Sequence, residues 1–173
     1  MGDRTVYGLT NSENGWRMVD QDSCVWVKVP GTNVSLQIRE GQPAAIMGAF
    51  AADFNAYVEP LRDPDSACWT ATNSVASSNH LSGTAMDLNW NSHPFQQANA
   101  GFNAAQIATC RELLEFYEDM IFWGNDWNSP KDEARQRDFV DLSARNGWEY
   151  VLLDEGWDAS WVPRTVRYAE TKG

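Results

Sequence analysis

The chain has 173 residues, 43% hydrophobic and 21% charged, which fits one globular domain with a real core and leaves little room for a second. Its formal charge of −11 leaves no basic stripe to neutralise phosphates, so nucleic acid is not an expected partner. No apolar run is long enough to span a bilayer, and Met1-Gly2-Asp3-Arg4 lacks the basic-then-apolar order of a signal peptide. The three cysteines, Cys24, Cys68 and Cys110, form no CxxC pair and read as buried free thiols, with one disulfide as the alternative. Most of the nine tryptophans read as packing, some of them in the core.

Residues 1–40 read as short strands and turns. Asn14-Gly15 signals a turn, Val25 to Val29 is β-rich and stops at Pro30-Gly31, and Val34 to Ile38 alternates as a half-buried strand does. A helix is expected over Pro43 to Glu59, where Ile46, Phe50, Phe54 and Tyr57 recur at helical spacing and Pro60 ends the run. Residues 61–79 read as a polar loop. Thr84 to Trp90 reads as a strand, and residues 91–103 as an irregular loop. Asn103 is placed to cap a helix from Ala104 to about Met120, with Ile107, Cys110, Leu114 and Tyr117 on its buried face. Ile121-Phe122-Trp123 reads as a short strand. Further on, Asp138 to Asn146 reads as a helix, Trp148 to Leu153 as an apolar strand and Pro163 to Thr171 as a second helix.

The stretch richest in chemistry is Ser78-Asn79-His80-Leu81-Ser82-Gly83-Thr84-Ala85-Met86-Asp87. A His and an Asp at this separation can meet at one metal ion if a tight turn lies between them, and Gly83 offers that turn. Past it, Ala85 and Asp87 share one face of an extended segment while Met86 and Leu88 share the other. Asp87 is thus expected to face a cleft while the apolar pair enters the core. A lone His and Asp would more often be a surface pair, so the whole string carries the signal.

That string resembles the S-x-H-x-x-G-x-A-x-D signature of the D-alanyl-D-alanine carboxypeptidase and L-alanyl-D-glutamate endopeptidase family of zinc peptidases, with every fixed position present. The wider stretch Trp69 to Phe95 looks like the peptidase domain of mycobacteriophage-type endolysins. Phe122-Trp123-Gly124-Asn125-Asp126-Trp127 is similar to the family's W-G-x-D-W segment. The resemblance implies an α+β fold with a small antiparallel sheet and flanking helices. It implies a Zn2+ held by His80 and Asp87, bacterial peptidoglycan as substrate, and synthesis in a host cytoplasm with action at the cell wall. Ser78 is expected on the substrate side, orienting the loop around His80 or capping a turn. The resemblance also implies a D-x-x-H motif, in which the acid is the general base and the His the third ligand. Asp132 stands at the acid's position, and Arg135 stands where the His belongs. A guanidinium has no free lone pair and stays protonated, so it cannot ligate zinc. The remaining histidine, His93, reads as a loop residue without a metal role, and no motif anchors Arg62 as a substrate-binding arginine.

Residues 136–173 read as a separate helix–strand–helix tail following a peptidase-like domain over 1–135. Phe139 to Trp157 looks like part of the catalytic barrel of glycoside hydrolase family ninety-seven, which suggests a chimera joined near Ala134 to Gln136; completion of the peptidase sheet is the alternative. A lone βα unit cannot close a barrel, and the adjacent Asp154 and Glu155 would point to opposite faces of a strand, which disfavours sugar hydrolysis. Three functions therefore stand at this point: a zinc-dependent peptidoglycan hydrolase of an endolysin, a catalytically inactive or wall-binding relative, and a glycosidase fragment.

Overall fold

The computed structural model describes residues 2–94, 98–118, 120–124, 162–172 and, between these last two stretches, residues 137, 140, 141, 144 and 145. Backbone contacts group the chain into two compact units, Met1–Ile121 and Phe122–Gly173.

The first unit is built on a two-stranded antiparallel sheet, β1 (Cys24–Lys28) and β2 (Ser35–Arg39), with Cys24 opposite Arg39 and Lys28 opposite Ser35. Valine and isoleucine suit this pleated, half-buried surface. The connection closes where Val29 N–H donates to the Val34 carbonyl, and the Thr32 hydroxyl braces it by donating to Val29 O and accepting from Val34 N–H. Leu36 and Ile38 of β2 are fully buried.

Helix α1 (Gln42–Asp53) starts with Pro43 in its first turn and buries Met47, Phe50 and Ala51. At Gly48 it runs so close to β1 that a Cβ would lie 2.8 Å from Val27 Cγ1. The expected helix to Glu59 is interrupted: Phe54–Val58 forms a π-type turn, and Glu59 is already extended. Pro60 is the reason, because proline pushes the residue before it out of helical geometry.

Helix α2 (Ala104–Phe116) is capped as expected by Asn103, whose side chain accepts from Gln106 N–H at 3.0 Å while the Gln106 side chain accepts from Asn103 N–H at 3.1 Å. It ends short of Met120, since Tyr117 leaves helical geometry and Glu118 adopts a φ of +44°. Tyr117 ties α2 to α1: its ring meets Phe50 edge-on at 5.4 Å and its hydroxyl donates to Asp53 Oδ2 at 2.7 Å.

Two expected strands do not form. Thr84 to Trp90 is not a strand: only Asp87 pairs, with Ala67, and Asn89 at φ +51° turns the chain away. Ile121-Phe122-Trp123 is irregular, with no ladder formed there, and Phe122 is 63% exposed. The described tryptophans are each at least partly exposed, as so large a ring usually is; Trp16 stacks under the Arg39 guanidinium. The cysteines are free thiols, Cys68 and Cys110 buried and Cys24 half-buried.

In the second unit, helix α3 (Val162–Glu170) lies close to the tail helix expected there. Arg137, Val140, Asp141, Ala144 and Arg145 are helical. Asp141 joins the two stretches, accepting from the Tyr168 hydroxyl at 2.9 Å and pairing with Lys172 at 2.8 Å. Trp148 to Trp157, including Asp154 and Glu155, lies outside the described residues. The architecture is thus α+β, a small antiparallel sheet with helices around it. No helix among the described residues is long and apolar enough to cross a membrane.

Candidate metal centre

His80 sits on a single 3-10 turn, Asn79–Ser82. Ser78 caps it, its hydroxyl accepting from His80 N–H at 3.3 Å, and Gly83 closes it at φ +68° with its own N–H donating to His80 O. Glycine is required at position 83 twice over. The left-handed conformation disfavours a side chain, and a Cβ would lie 2.9 Å from Arg39 N and 3.1 Å from Cys24 Sγ.

Long-range contacts hold this turn rigid. Leu81 is fully buried in a cluster with Val6 and Met18, and Val19 N–H donates to its carbonyl. Ser82 is fully buried, its hydroxyl meeting those of Ser12 (2.8 Å) and Thr84 (2.7 Å) and donating to Asn79 O. Strand β2 anchors both sides of the site. Arg39 N–H donates to Gly83 O, Trp69 N–H donates to Gln37 O, and Trp69 Nε1–H donates to Val19 O. Asp87 is brought in by its bridge to Ala67, with backbone bonds of 2.8 and 3.0 Å.

These anchors put His80 Nδ1 2.6 Å from Cys68 O. A carbonyl only accepts, so Nδ1 carries the proton and Nε2 is the nitrogen turned to the site. His80 Nε2 lies 3.3 Å from Asp87 Oδ2, with the imidazole 16% and the carboxylate 61% exposed. That is long for a charge-assisted hydrogen bond, which is typically about 2.7–2.9 Å. It matches the separation of about 3.3–3.4 Å between two donors on one tetrahedral zinc at bond lengths near 2.0–2.2 Å. A backbone carbonyl holding the far nitrogen is the usual support of a metal-binding imidazole. Burial lowers the basicity of His80, but the hydrogen bond and charge of Asp87 outweigh it and hold the ring above its ordinary pKa. The donor types, orientation and spacing thus fit a zinc ion at two positions.

Asp132 and Arg135 lie outside the described residues, and among the described residues no group of three or more His, Cys, Asp or Glu is placed to hold a metal. His93 is engaged at both nitrogens, Nδ1 with Ala100 O and Nε2 with Glu59 Oε1, each at 2.8 Å, while its ring stacks on Phe102 at 3.6 Å. Both ring nitrogens are thus occupied by protein acceptors. Arg62 is paired with Asp65 at 2.9 Å and also donates to Ser92. Asp87 is exposed while Met86 and Leu88 are half-buried, so the apolar pair reaches the core only in part.

Sequence reading overlooked the Cys68 carbonyl and the side chain of Asn89. A main-chain acceptor has no residue signature. An asparagine two places after Asp87 was a visible signal, since asparagine is among the few residues that tolerate positive φ.

Residues 71–134 match the family model described as D-alanyl-D-alanine carboxypeptidase. The match spans the whole Ser78–Asp87 turn and Asp132, covers less than half of the chain, and supports a peptidoglycan-related peptidase domain. No curated protein and no solved structure matches the chain.

Proposed function

We propose that this chain is a zinc peptidase acting on the stem peptides of bacterial peptidoglycan, with His80 and Asp87 as metal ligands and Asp132 as general base. The observation that carries the reading is the 3.3 Å spacing of His80 Nε2 and Asp87 Oδ2, with Nδ1 tied to the Cys68 carbonyl. A zinc ion supplies Lewis acidity toward the scissile carbonyl and acidifies a water. The protein's own groups do the rest: His80 and Asp87 hold the ion, Ser78 keeps the turn folded on the substrate side, and Asp132 takes the proton of the attacking water.

Arg135 stands at the motif position of the third ligand. Two protein donors hold zinc more weakly than three, and a guanidinium supplies no lone pair in place of the missing imidazole. That substitution favours a second reading, a relative that keeps the fold and weak metal binding with little turnover. The wider proposal is an endolysin-type protein made in a host cytoplasm and acting at the wall. In it, a peptidase domain over 1–135 is joined near Ala134 to Gln136 to a tail over 136–173 that derives from a glycosidase barrel.

The deciding experiment compares the unmodified chain with Arg135→His for zinc content after dialysis and for lysis of purified cell walls. Zinc in both, with lysis gained or raised by Arg135→His, supports the peptidase ancestry and identifies the missing ligand. Metal-free protein in both cases would falsify the zinc reading.

A further inference from the structure

Asp87 is aimed by its backbone, because a side chain 61% exposed receives little guidance from packing. Yet only one bridge, to Ala67, pairs that backbone. What fixes the segment lies two residues on. Asn89 is fully buried at φ +51° and uses both ends of its amide. Nδ2 donates to Glu59 Oε1 at 2.5 Å and to Pro60 O at 3.0 Å, while Oδ1 accepts from Arg62 N–H at 2.9 Å. Asn89 N–H donates to Ser66 Oγ at 3.1 Å, and Trp90 N–H to Asp65 O at 3.0 Å. Ser66 is therefore held by Asn89 and Asp65 by Trp90, while the next residue, Ala67, pairs with Asp87.

Glu59 is the hub of this clamp. Besides Asn89 it accepts from His93 Nε2 at 2.8 Å and from Gln106 Nε2 at 3.1 Å, so the first turn of α2 and the segment after Asp87 converge on the carboxylate that follows the Phe54–Val58 turn. A buried polar network with its members satisfied specifies a single arrangement, whereas one left half-satisfied is costly. The His80 turn has its own separate anchors in Leu81, Ser82 and β2. The segment through Ala67 and Cys68 touches both donors, pairing with Asp87 and accepting from His80 Nδ1, and Asn89 fixes where the chain carrying Asp87 meets it.

We propose that Asn89, locked by Glu59, is the positioning residue of the metal site and sets where Asp87 presents its carboxylate to His80. The role rests on the zinc reading above and deepens it. Asn89→Gly is the suitable variant, since glycine accepts a φ of +51° without strain and only the side-chain bonds are lost.

The test uses the full chain and two readouts. The first is affinity for zinc and for cobalt, with the visible absorption of the cobalt form as a report on ligand geometry. The second is hydrogen exchange of the Asp87 amide, which donates to Ala67 O in the native bridge. The expected result for Asn89→Gly is a fall in metal affinity of about 10–100-fold, the usual effect of losing a supporting contact behind a ligand, a changed cobalt spectrum, and faster exchange at Asp87. Glu59→Gln keeps an acceptor but weakens the clamp, and should move all three in the same direction by less. It takes over the test if Asn89→Gly does not fold. Unchanged affinity, spectrum and exchange in a folded variant overturn the proposal. If the unmodified chain binds neither metal, the zinc reading fails, and the exchange readout alone decides whether Asn89 holds Asp87.

Discussion

Gly83→Ala is the sharpest test of how the site is built. The perturbation is one methyl group, and two costs combine. Placing an L-residue at φ +68° costs about 1–2 kcal/mol. The new Cβ would lie 2.9 Å from Arg39 N, and forcing a methyl group into such a packed site typically costs about 1–3 kcal/mol. The neighbour cannot yield cheaply, because Arg39 N is the backbone of β2 and donates to Gly83 O at 3.0 Å. The expected loss is therefore about 2–5 kcal/mol, a large share of the roughly 5–15 kcal/mol that stabilises a domain. Gly15→Ala is the matched control, with φ +82° and nothing within 4 Å of the added Cβ, so it should cost only the conformational part, about 1–2 kcal/mol. Urea unfolding followed by tryptophan fluorescence measures both, with an unchanged slope showing that the surface exposed on unfolding is the same; the entropy lost by the unfolded chain on Gly→Ala is common to both variants and cancels in their comparison. Equal losses in the two variants, or a loss below about 1 kcal/mol for Gly83→Ala, would refute the claim that β2 crowds the turn.

Two further predictions concern titratable groups. Burial pushes the Glu59 carboxyl up, but hydrogen bonds from Asn89 and His93, with the electrostatic pull of His93 and Arg62, outweigh it and hold it below its ordinary value of 4.5. A carboxyl depressed in the folded state contributes stability that is present above that ordinary value and lost as pH falls through the folded one. Glu59→Gln should therefore be less stable near neutrality and show a flatter stability profile below pH 4.5; profiles that superimpose from neutrality to acid would count against the clamp. Burial also pushes the Cys24 and Cys110 thiols up to about 11 and Cys68 higher still. At pH near 8 the folded protein should react slowly with a thiol reagent, Cys68 slowest, and yield three equivalents once unfolded. Rapid modification of Cys68 in the native state would contradict its burial.

Much of this molecule was readable from short-range relations. Apolar alternation and turn residues located β1, β2 and the start of α1, and Asn103 with Gln106 marked the start of α2, because these relations span only a few residues. The Ser78 to Asp87 string likewise marked the residues of the candidate site's turn, including the glycine on which it closes. What only the tertiary structure decided is how His80 and Asp87 come to face each other. The tautomer of His80 depends on a carbonyl twelve positions away, the turn leans on the end of β2, and Asp87 is held through Asn89 by a glutamate thirty positions earlier. The Thr84 to Trp90 segment has the alternation of a strand, yet it forms one bridge, since a strand needs a partner along its whole length and residues 65–67 supply only a short one. Sequence determined which groups this site contains; contacts across the chain determined the 3.3 Å between them.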